Sequence, residues 1–458
     1  MTLIKSISGI RGTIGGKPGD NLTPIDIVKF TAAFASLIQE NNNGKRLKFI
    51  VGRDARISGP MVESLIISTL SGMGIDVINT GLSTTPTVEM AVINLNADGG
   101  IIITASHNPK QWNALKLLDG TGEFISAMDG EKVLQLAETG NINFCDVDSL
   151  GTIVVDDTTI ESHIKQILDL DLVDKKIITK SNFKVAIDAV NSTGGISIPP
   201  LLNALGVNQI VELYCDPTGN FPHNPEPIPE NLGEVCNLVV ASKADIGIVV
   251  DPDVDRLALV MENGELFGEE YTLVAVADYI LQSQKGNAVS NLSSTRALRD
   301  VTEKAGGTYT ASAVGEVNVV HKMKEQNAVI GGEGNGGVIY PELHYGRDAL
   351  VGVALILTYL AKENITLSEL RSRYNDYFVS KNRIDLTTDM NIDEMYAKVK
   401  LHYAEFPILT IDGVKIDFPD GWVHLRTSNT EPIMRVYAES TSMEKAHNYA
   451  QEIIKLIG

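Results

Sequence analysis

Three aspartates spaced by two, Asp251, Asp253 and Asp255, follow the apolar run Ile246 to Val250. Carboxylates this close repel one another unless a cation lies among them. Hard oxygen donors of this kind suit Mg²⁺, which keeps positions open for phosphate oxygens. Arg256, next in the chain, adds a positive group and points to an oxyanion ligand beside the cation. A second loop, Thr104-Ala105-Ser106-His107-Asn108-Pro109, ends the β-branched run Ile101 to Ile103 with small polar residues and a proline. Ser106 therefore stands at the carboxyl end of a strand, where open α/β sheets collect ligands, as a nucleophile or phosphate carrier. A third loop, Gly331 to Gly337, lets backbone approach a ligand closely and offers Glu333 and Asn335 to hydroxyl groups. A fourth, Arg426-Thr427-Ser428-Asn429-Thr430-Glu431-Pro432, combines an arginine, hydroxyl side chains, an amide and a run of backbone N–H groups into a phosphate nest. Taken singly, each has a plain structural explanation: a solvated acidic turn, a glycine turn, a Ser/Thr turn. The same holds for Arg11, between glycines in Ser8-Gly9-Ile10-Arg11-Gly12, and for Lys116, which a surface hairpin over 116–125 would expose. It is their occurrence together that favours chemistry.

The elements that must hold these loops repeat. Helix, glycine and strand follow one another at 65–81, 201–214 and 301–313, and glycine is favoured just past a helix end. Each unit runs on into another apolar strand, at 101–103, 246–250 and 328–330, and each of those strands ends in one of the unusual loops. Such alternation implies βαβ units. The pattern predicts three successive α/β domains with mixed, largely parallel sheets plus a C-terminal α+β domain, at residues 1–150, 151–258, 259–369 and 370–458. Within them, Thr85 before Pro86 reads as a helix N-cap, and Thr441 to Glu444 as the capping box of the last helix.

Composition narrows the partners. The 458 residues carry a formal charge of −20, which argues against nucleic acid and anionic membrane, since both need a basic face. A few arginines in one cleft are still enough to draw a small anion. No apolar run reaches the ~18–20 residues of a membrane span. Three widely spaced cysteines, Cys145, Cys215 and Cys236, suggest neither disulfides nor a thiolate metal site and fit a reducing cytoplasm.

The five motifs Ser-Gly-Ile-Arg-Gly, Thr-Ala-Ser-His-Asn-Pro, Asp-Pro-Asp-Val-Asp-Arg, Gly-Glu-Gly-Asn-Gly-Gly and Arg-Thr-Ser-Asn-Thr-Glu-Pro occur in this order. The set resembles the α-D-phosphohexomutase family of phosphoglucomutases, phosphomannomutases and phosphoglucosamine mutases, over essentially the whole chain. The resemblance implies four domains around one central cleft. It implies that Ser106 carries a phosphoryl group and that Asp251, Asp253, Asp255 and the phosphoserine hold Mg²⁺. Glu333 and Asn335 would meet sugar hydroxyls, and Arg426, Ser428, Asn429 and Thr430 would clamp the phosphate not in transfer. Arg11, Asn108, Lys116 and Arg256 would line the transfer point, with Lys116 a candidate acid/base. The substrate would be a small phosphosugar and the primer a hexose 1,6-bisphosphate, with a monomer and a dimer both open. Many members have Ser and His where this chain has Asn335 and Gly337; the Gly-Asn-Gly-Gly form resembles the phosphoglucosamine mutase branch. Two rivals remain. Asp251-Pro-Asp253-Val254 matches the D-x-D-x-[TV] pattern of aspartate-nucleophile phosphatases, though here it closes a domain where that pattern usually opens one. A non-catalytic sugar-phosphate sensor would bind without turnover.

Overall fold

Successive residues of the strand Gly99–Ile103 point to opposite faces, and all of them are buried. Ile101 and Ile103 join a cluster with Phe34, Phe49, Val51 and Leu70, while Ile102 joins Ile50, Val88 and Val92 on the other face. A strand packed on both faces must be apolar throughout, which is why this run is β-branched and unbroken. The computed structural model describes residues 2–6, 9–42, 44–140, 142–387, 390–428 and 433–458. The chain forms two compact units, Met1–Thr272 with Gly336–Glu369, and Leu273–Asn335 with Leu370–Gly458.

The first unit holds two sheets. One has seven strands in the order Ile4–Ser6, Gly9–Thr13, Trp112–Asp119, Gly99–Ile103, Lys48–Arg53, Asp76–Leu82 and Ile153–Val155. Gly99–Ile103 pairs in parallel with Lys48–Arg53 and antiparallel with Trp112–Asp119. Two expectations change here. Lys116 lies within the interior strand Trp112–Asp119 and is buried, not on a surface hairpin. Ile153–Val155, assigned above to the second domain, pairs with Asp76–Leu82 at the edge of this first sheet. The other sheet runs Leu257–Met261, Ile246–Val250, Lys184–Asp188, Gln209–Leu213, parallel except for its first pair. The helix Ala349–Glu363 is buried all round from Ala349 to Ala361 and packs on helices Thr159–Leu168, Lys175–Ser181 and Gly194–Leu205. An all-apolar helix has no face to offer water and takes an interior place. Residues 259–369 therefore contribute to both units.

In the second unit, Tyr309–Ser312, Asn287–Asn291 and Ala328–Glu333 pair in parallel. Its other sheet is antiparallel, in the order Phe378–Asp385, Ile433–Ser440, Gly421–Thr427, Val414–Phe418, Ile408–Leu409. The last helix, Met443–Ile457, buries Ala446, Ala450 and Ile453. Its cap is Ser442, whose hydroxyl accepts from Lys445 N, one residue later than the box read from sequence. Among the described residues no helix is long and apolar enough to cross a membrane. All three cysteines are free thiols.

Candidate active site

Ser106 leaves its strand in the left-handed region, at φ 47°. For a residue with a Cβ this costs of order 1–3 kcal/mol and persists where the surroundings hold it. They do. Ser106 N donates to Thr104 Oγ1 at 2.9 Å, and that hydroxyl donates to Asp54 Oδ2 at 2.7 Å. Asp54 accepts Arg56 Nε at 2.9 Å, and the pair is fully buried. The rest of the Arg56 guanidinium donates to the carbonyls of Ser106, Asn108 (2.6 Å), Pro109 (2.8 Å) and Trp112 (3.0 Å). All five of its N–H groups are thus used on one loop and one carboxylate. This role was not legible in the sequence, where an arginine and an aspartate spaced by two give no distinctive signal.

The aspartate loop is moulded as tightly. Val254 sits at φ 63°, an outlier for a β-branched residue, with its N–H on Asp251 O at 3.1 Å. Ser192 and Thr193 hydroxyls donate to Pro252 O at 2.7 and 2.8 Å. Thr85 donates its N–H to Asp253 O at 2.8 Å and its hydroxyl to Asp253 Oδ2 at 2.6 Å. The cap of helix Thr85–Asn94 is therefore Thr84, whose side chain accepts from Thr87 N, and not Thr85 as the sequence suggested. Gly336 meets this region too. Its φ is +84°, and a Cβ there would lie 2.4 Å from Leu257 O, so a side chain is excluded.

The two loops meet at their side chains. Ser106 donates to Asp251 Oδ2 at 2.6 Å, and Asp251 Oδ1 accepts the N–H groups of Asp255 and Arg256, each at 3.2 Å. Lys116 Nζ reaches Asp253 Oδ2 at 2.7 Å and Asp255 Oδ2 at 3.3 Å. Arg347 Nη2, which the sequence reading did not single out, donates to Asp255 Oδ2 at 2.7 Å. Arg11 donates to Asn108 Oδ1 at 2.7 Å. Arg256 Nε stands 3.8 Å from Asp255 Oδ1. One oxygen from each aspartate lies within 4.8 Å of the others, and all three residues are buried. Among the described residues, Asp253 Oδ1, Asp255 Oδ1 and Arg256 Nε are buried without a hydrogen-bond partner. Unmatched carboxylate oxygens are what a divalent cation requires, and the trio is a site able to hold one.

Charge follows from burial and neighbours. Burial, then the negative Asp255 and Asp253, push Asp251 well above the usual carboxylate range. Burial also opposes ionisation of Asp255, but Arg347, Lys116 and Arg256 outweigh it and hold its carboxyl below that range. Burial would lower the Lys116 ammonium; Asp253 and Asp255 more than offset it, so the group is raised and keeps its proton. His107, with Nδ1 3.4 Å from Ser106 Oγ, is pushed well below the usual imidazole range by burial and by Arg256 and Arg11.

Glu333, Asn335, Arg426 and Ser428 belong to the second unit. Glu333 is buried, and its Oε1 accepts from Asn291 Nδ2 at 2.8 Å and Gly315 N at 3.1 Å. Gly334 N donates to Ser294 Oγ at 3.1 Å. Asn335 is half-buried beside it. Arg426 Nη1 lies 3.9 Å from Asp412 Oδ2, and Ser428 N donates to Ile433 O at 2.9 Å. Asn429 and Thr430 lie outside the described residues.

A serine, a carboxylate trio and a set of cations at strand ends of α/β sheets make a site of the phosphoryl-transfer class. Family models described as phosphoglucomutase/phosphomannomutase match the chain four times in order: α/β/α domain I at 3–142, domain II at 161–264, domain III at 268–377 and the C-terminal domain at 382–456. A Thermococcus kodakarensis protein named phosphoglucomutase/phosphomannomutase is 36% identical over 453 residues, covering 97% of this chain and 98% of its own. A Sulfurisphaera tokodaii protein named phosphoglucosamine/phosphogalactosamine mutase is 33% identical over 456 residues, covering 98% of each. The crystal structure of a phosphoglucomutase/phosphomannomutase family protein from Burkholderia thailandensis superposes with a TM-score of 0.85 at 27% identity, covering 99% of this chain and 97% of that one. The chain belongs to the phosphoglucomutase/phosphomannomutase, or α-D-phosphohexomutase, family.

Proposed function

We propose that the protein interconverts a hexosamine 6-phosphate and its 1-phosphate, with glucosamine phosphate as the preferred substrate. Ser106 carries the phosphoryl group, and a 1,6-bisphosphate serves as intermediate and primer. The observation that carries this reading is the set of unmatched atoms around Ser106. Two carboxylate oxygens await a cation, and one guanidinium N–H awaits an anion. A binding module would gain nothing from a cation at the serine, which weighs against a sensor. An aspartyl nucleophile is disfavoured because both oxygens of Asp251 are engaged by Ser106, Asp255 N and Arg256 N.

In the forward step the phosphorus–oxygen bond to Ser106 breaks, a new one forms to the sugar's free hydroxyl, and the hydroxyl proton replaces on Lys116 the one that this residue gives to the serine oxygen. Asp251, Asp253 and Asp255 would hold Mg²⁺ together with the phosphoserine; bound there, the ion neutralises charge on the phosphoryl oxygens. Lys116, kept protonated, donates to the serine oxygen as it becomes a leaving group. Arg11, Asn108 and Arg256 orient the phosphoryl group, so positioning and charge supply most of the acceleration. Glu333 and Asn335 take the sugar hydroxyls, and Arg426, Ser428, Asn429 and Thr430 take the other phosphate. Action in a reducing cytoplasm is part of the proposal, supported by the free cysteines.

The preference for glucosamine draws on the Sulfurisphaera relative's name; the Thermococcus relative's name favours glucose and mannose phosphates as the second reading. The test is a side-by-side assay on glucosamine 6-phosphate, glucose 1-phosphate and mannose 1-phosphate, with Mg²⁺ and a bisphosphate primer. Glucosamine 6-phosphate is expected to turn over fastest; faster turnover of either other sugar moves the assignment to it. Ser106→Ala should lose at least ~10³-fold in turnover with an unchanged melting curve. Normal turnover in that variant would remove the phosphoserine step.

A further inference from the structure

We infer that Arg347 is a positioning residue, fixing Asp255 so that one carboxylate oxygen stays turned toward the cation. Arg347 Nη2 takes Asp255 Oδ2 at 2.7 Å, and Lys116 approaches the same oxygen at 3.3 Å. Asp255 Oδ1 is left buried with no hydrogen-bond partner among the described residues. Two donors on one oxygen set the carboxylate plane and reserve the other oxygen.

The chain around Arg347 is anchored on every side. Asp348 N donates to Val338 O at 2.8 Å, and Ala349 N donates to Val254 O, inside the aspartate loop, at 3.2 Å. Asp348 Oδ1 caps helix Ala349–Glu363 by accepting from Leu350 N at 2.7 Å and Val351 N at 3.3 Å. Its Oδ2 meets His163 Nε2 at 2.9 Å and His344 Nε2 at 3.4 Å. His163 Nδ1 is 3.0 Å from Thr87 Oγ1, and His344 Nδ1 is 3.4 Å from Glu89 Oε2. These side chains are all buried. A Cβ on Gly346 would lie 1.9 Å from Glu89 Oε2, so a side chain here would displace this carboxylate. The His163–Asp348 spacing is that of a hydrogen bond, and this cluster is a brace for Arg347 rather than a second ion site. Thr85, which binds Asp253, stands on the same helix as Thr87 and Glu89, so one brace serves two of the three aspartates.

The inference rests on the cation site proposed above and not on the mutase reaction. Mg²⁺ demands near-ideal octahedral geometry, whereas Ca²⁺ accepts irregular and larger shells. Loosening Asp255 should therefore penalise Mg²⁺ more than Ca²⁺. Loss of a positive charge alone would strengthen both ions alike. The test is isothermal titration of the full-length protein with Mg²⁺ and, separately, Ca²⁺, in Arg347→Met and Arg347→Lys. Arg347→Lys keeps the charge but loses the planar fork. Both variants should lower the Mg²⁺-to-Ca²⁺ affinity ratio by about tenfold, the low end for removing a group that orients a metal ligand. Tighter binding of both ions in Arg347→Met with no change in Arg347→Lys would overturn the inference, as would unchanged ratios in both. No Mg²⁺ binding by the unsubstituted protein would defeat the cation site and this inference together; absent mutase turnover alone would leave the inference standing.

Discussion

Arg56 in the first unit and Arg426 in the second lie at the carboxyl ends of strands, in opposite surroundings. Arg56 is buried and spends every N–H on Asp54 and four backbone carbonyls of the Ser106 loop. Arg426 faces Asp412 at 3.9 Å, beyond hydrogen-bond length, with part of its side chain open to solvent. The contrast separates a cation that builds a loop from one that is proposed above to take a phosphate. Glu333 resembles the first kind through Oε1, which is bound by Asn291 and Gly315. Asp253 and Asp255 combine both kinds within one carboxylate, one oxygen tied by protein and the other reserved.

Substitutions can break this contrast. Arg56→Met should cost the most stability, about 3–5 kcal/mol, because it leaves Asp54 as an uncompensated buried charge. Arg426→Met should stay within about 1 kcal/mol of the parent while raising KM. Urea unfolding of the two variants checks the pair, and equal losses would erase the distinction drawn between them. Lys116→Met should reduce kcat by about 10²-fold, the scale of a positioned proton donor. Its KM should move far less, and steady-state kinetics on the preferred sugar phosphate separate the two. Glu333→Gln keeps an acceptor for Asn291 and Gly315 but drops the charge, so KM should rise about tenfold with kcat nearly steady, a change of ~1.4 kcal/mol. A fall in kcat with constant KM would instead place Glu333 among the transfer groups.

The last effect concerns pH. Lys415 is buried over the Trp422 ring, donates to Leu292 O at 2.7 Å, and is lowered by burial to about 8. An unfolded lysine keeps its proton to about 10.4. Between these values the unfolded chain binds more protons, so this residue makes stability rise with pH from about 8 to 10. Lys415→Met should flatten that rise by about 2–3 kcal/mol, read from the difference between parent and variant melting curves at pH 7 to 10.

Much of the site was legible because its residues are grouped in short loops. Three aspartates spaced by two, or a serine after an isoleucine run, announce themselves without a partner in view. Lys116 was misplaced because a strand covered on both faces carries no alternation, and Trp112–Asp119 reads as well for a hairpin arm as for an interior strand. Thr85 looked like a cap because Thr84 and Thr85 are chemically equal there; what distinguishes them is Asp253, 168 residues away. Ile153–Val155 was placed in the second domain for a similar reason, since pairing with Asp76–Leu82 is a long-range choice.

By itself, the order of residues determined the repeated strands and helices, the loops at their ends and the chemical types in those loops, because each depends on neighbours within a few positions. Tertiary structure alone decided which atoms are spent and which remain. Arg56, Arg347 and the buried His163–Asp348 pair take their meaning from partners 50, 92 and 185 positions away. Reserving one oxygen of Asp255 requires two cations from distant segments to converge on the other, and no local pattern encodes that meeting.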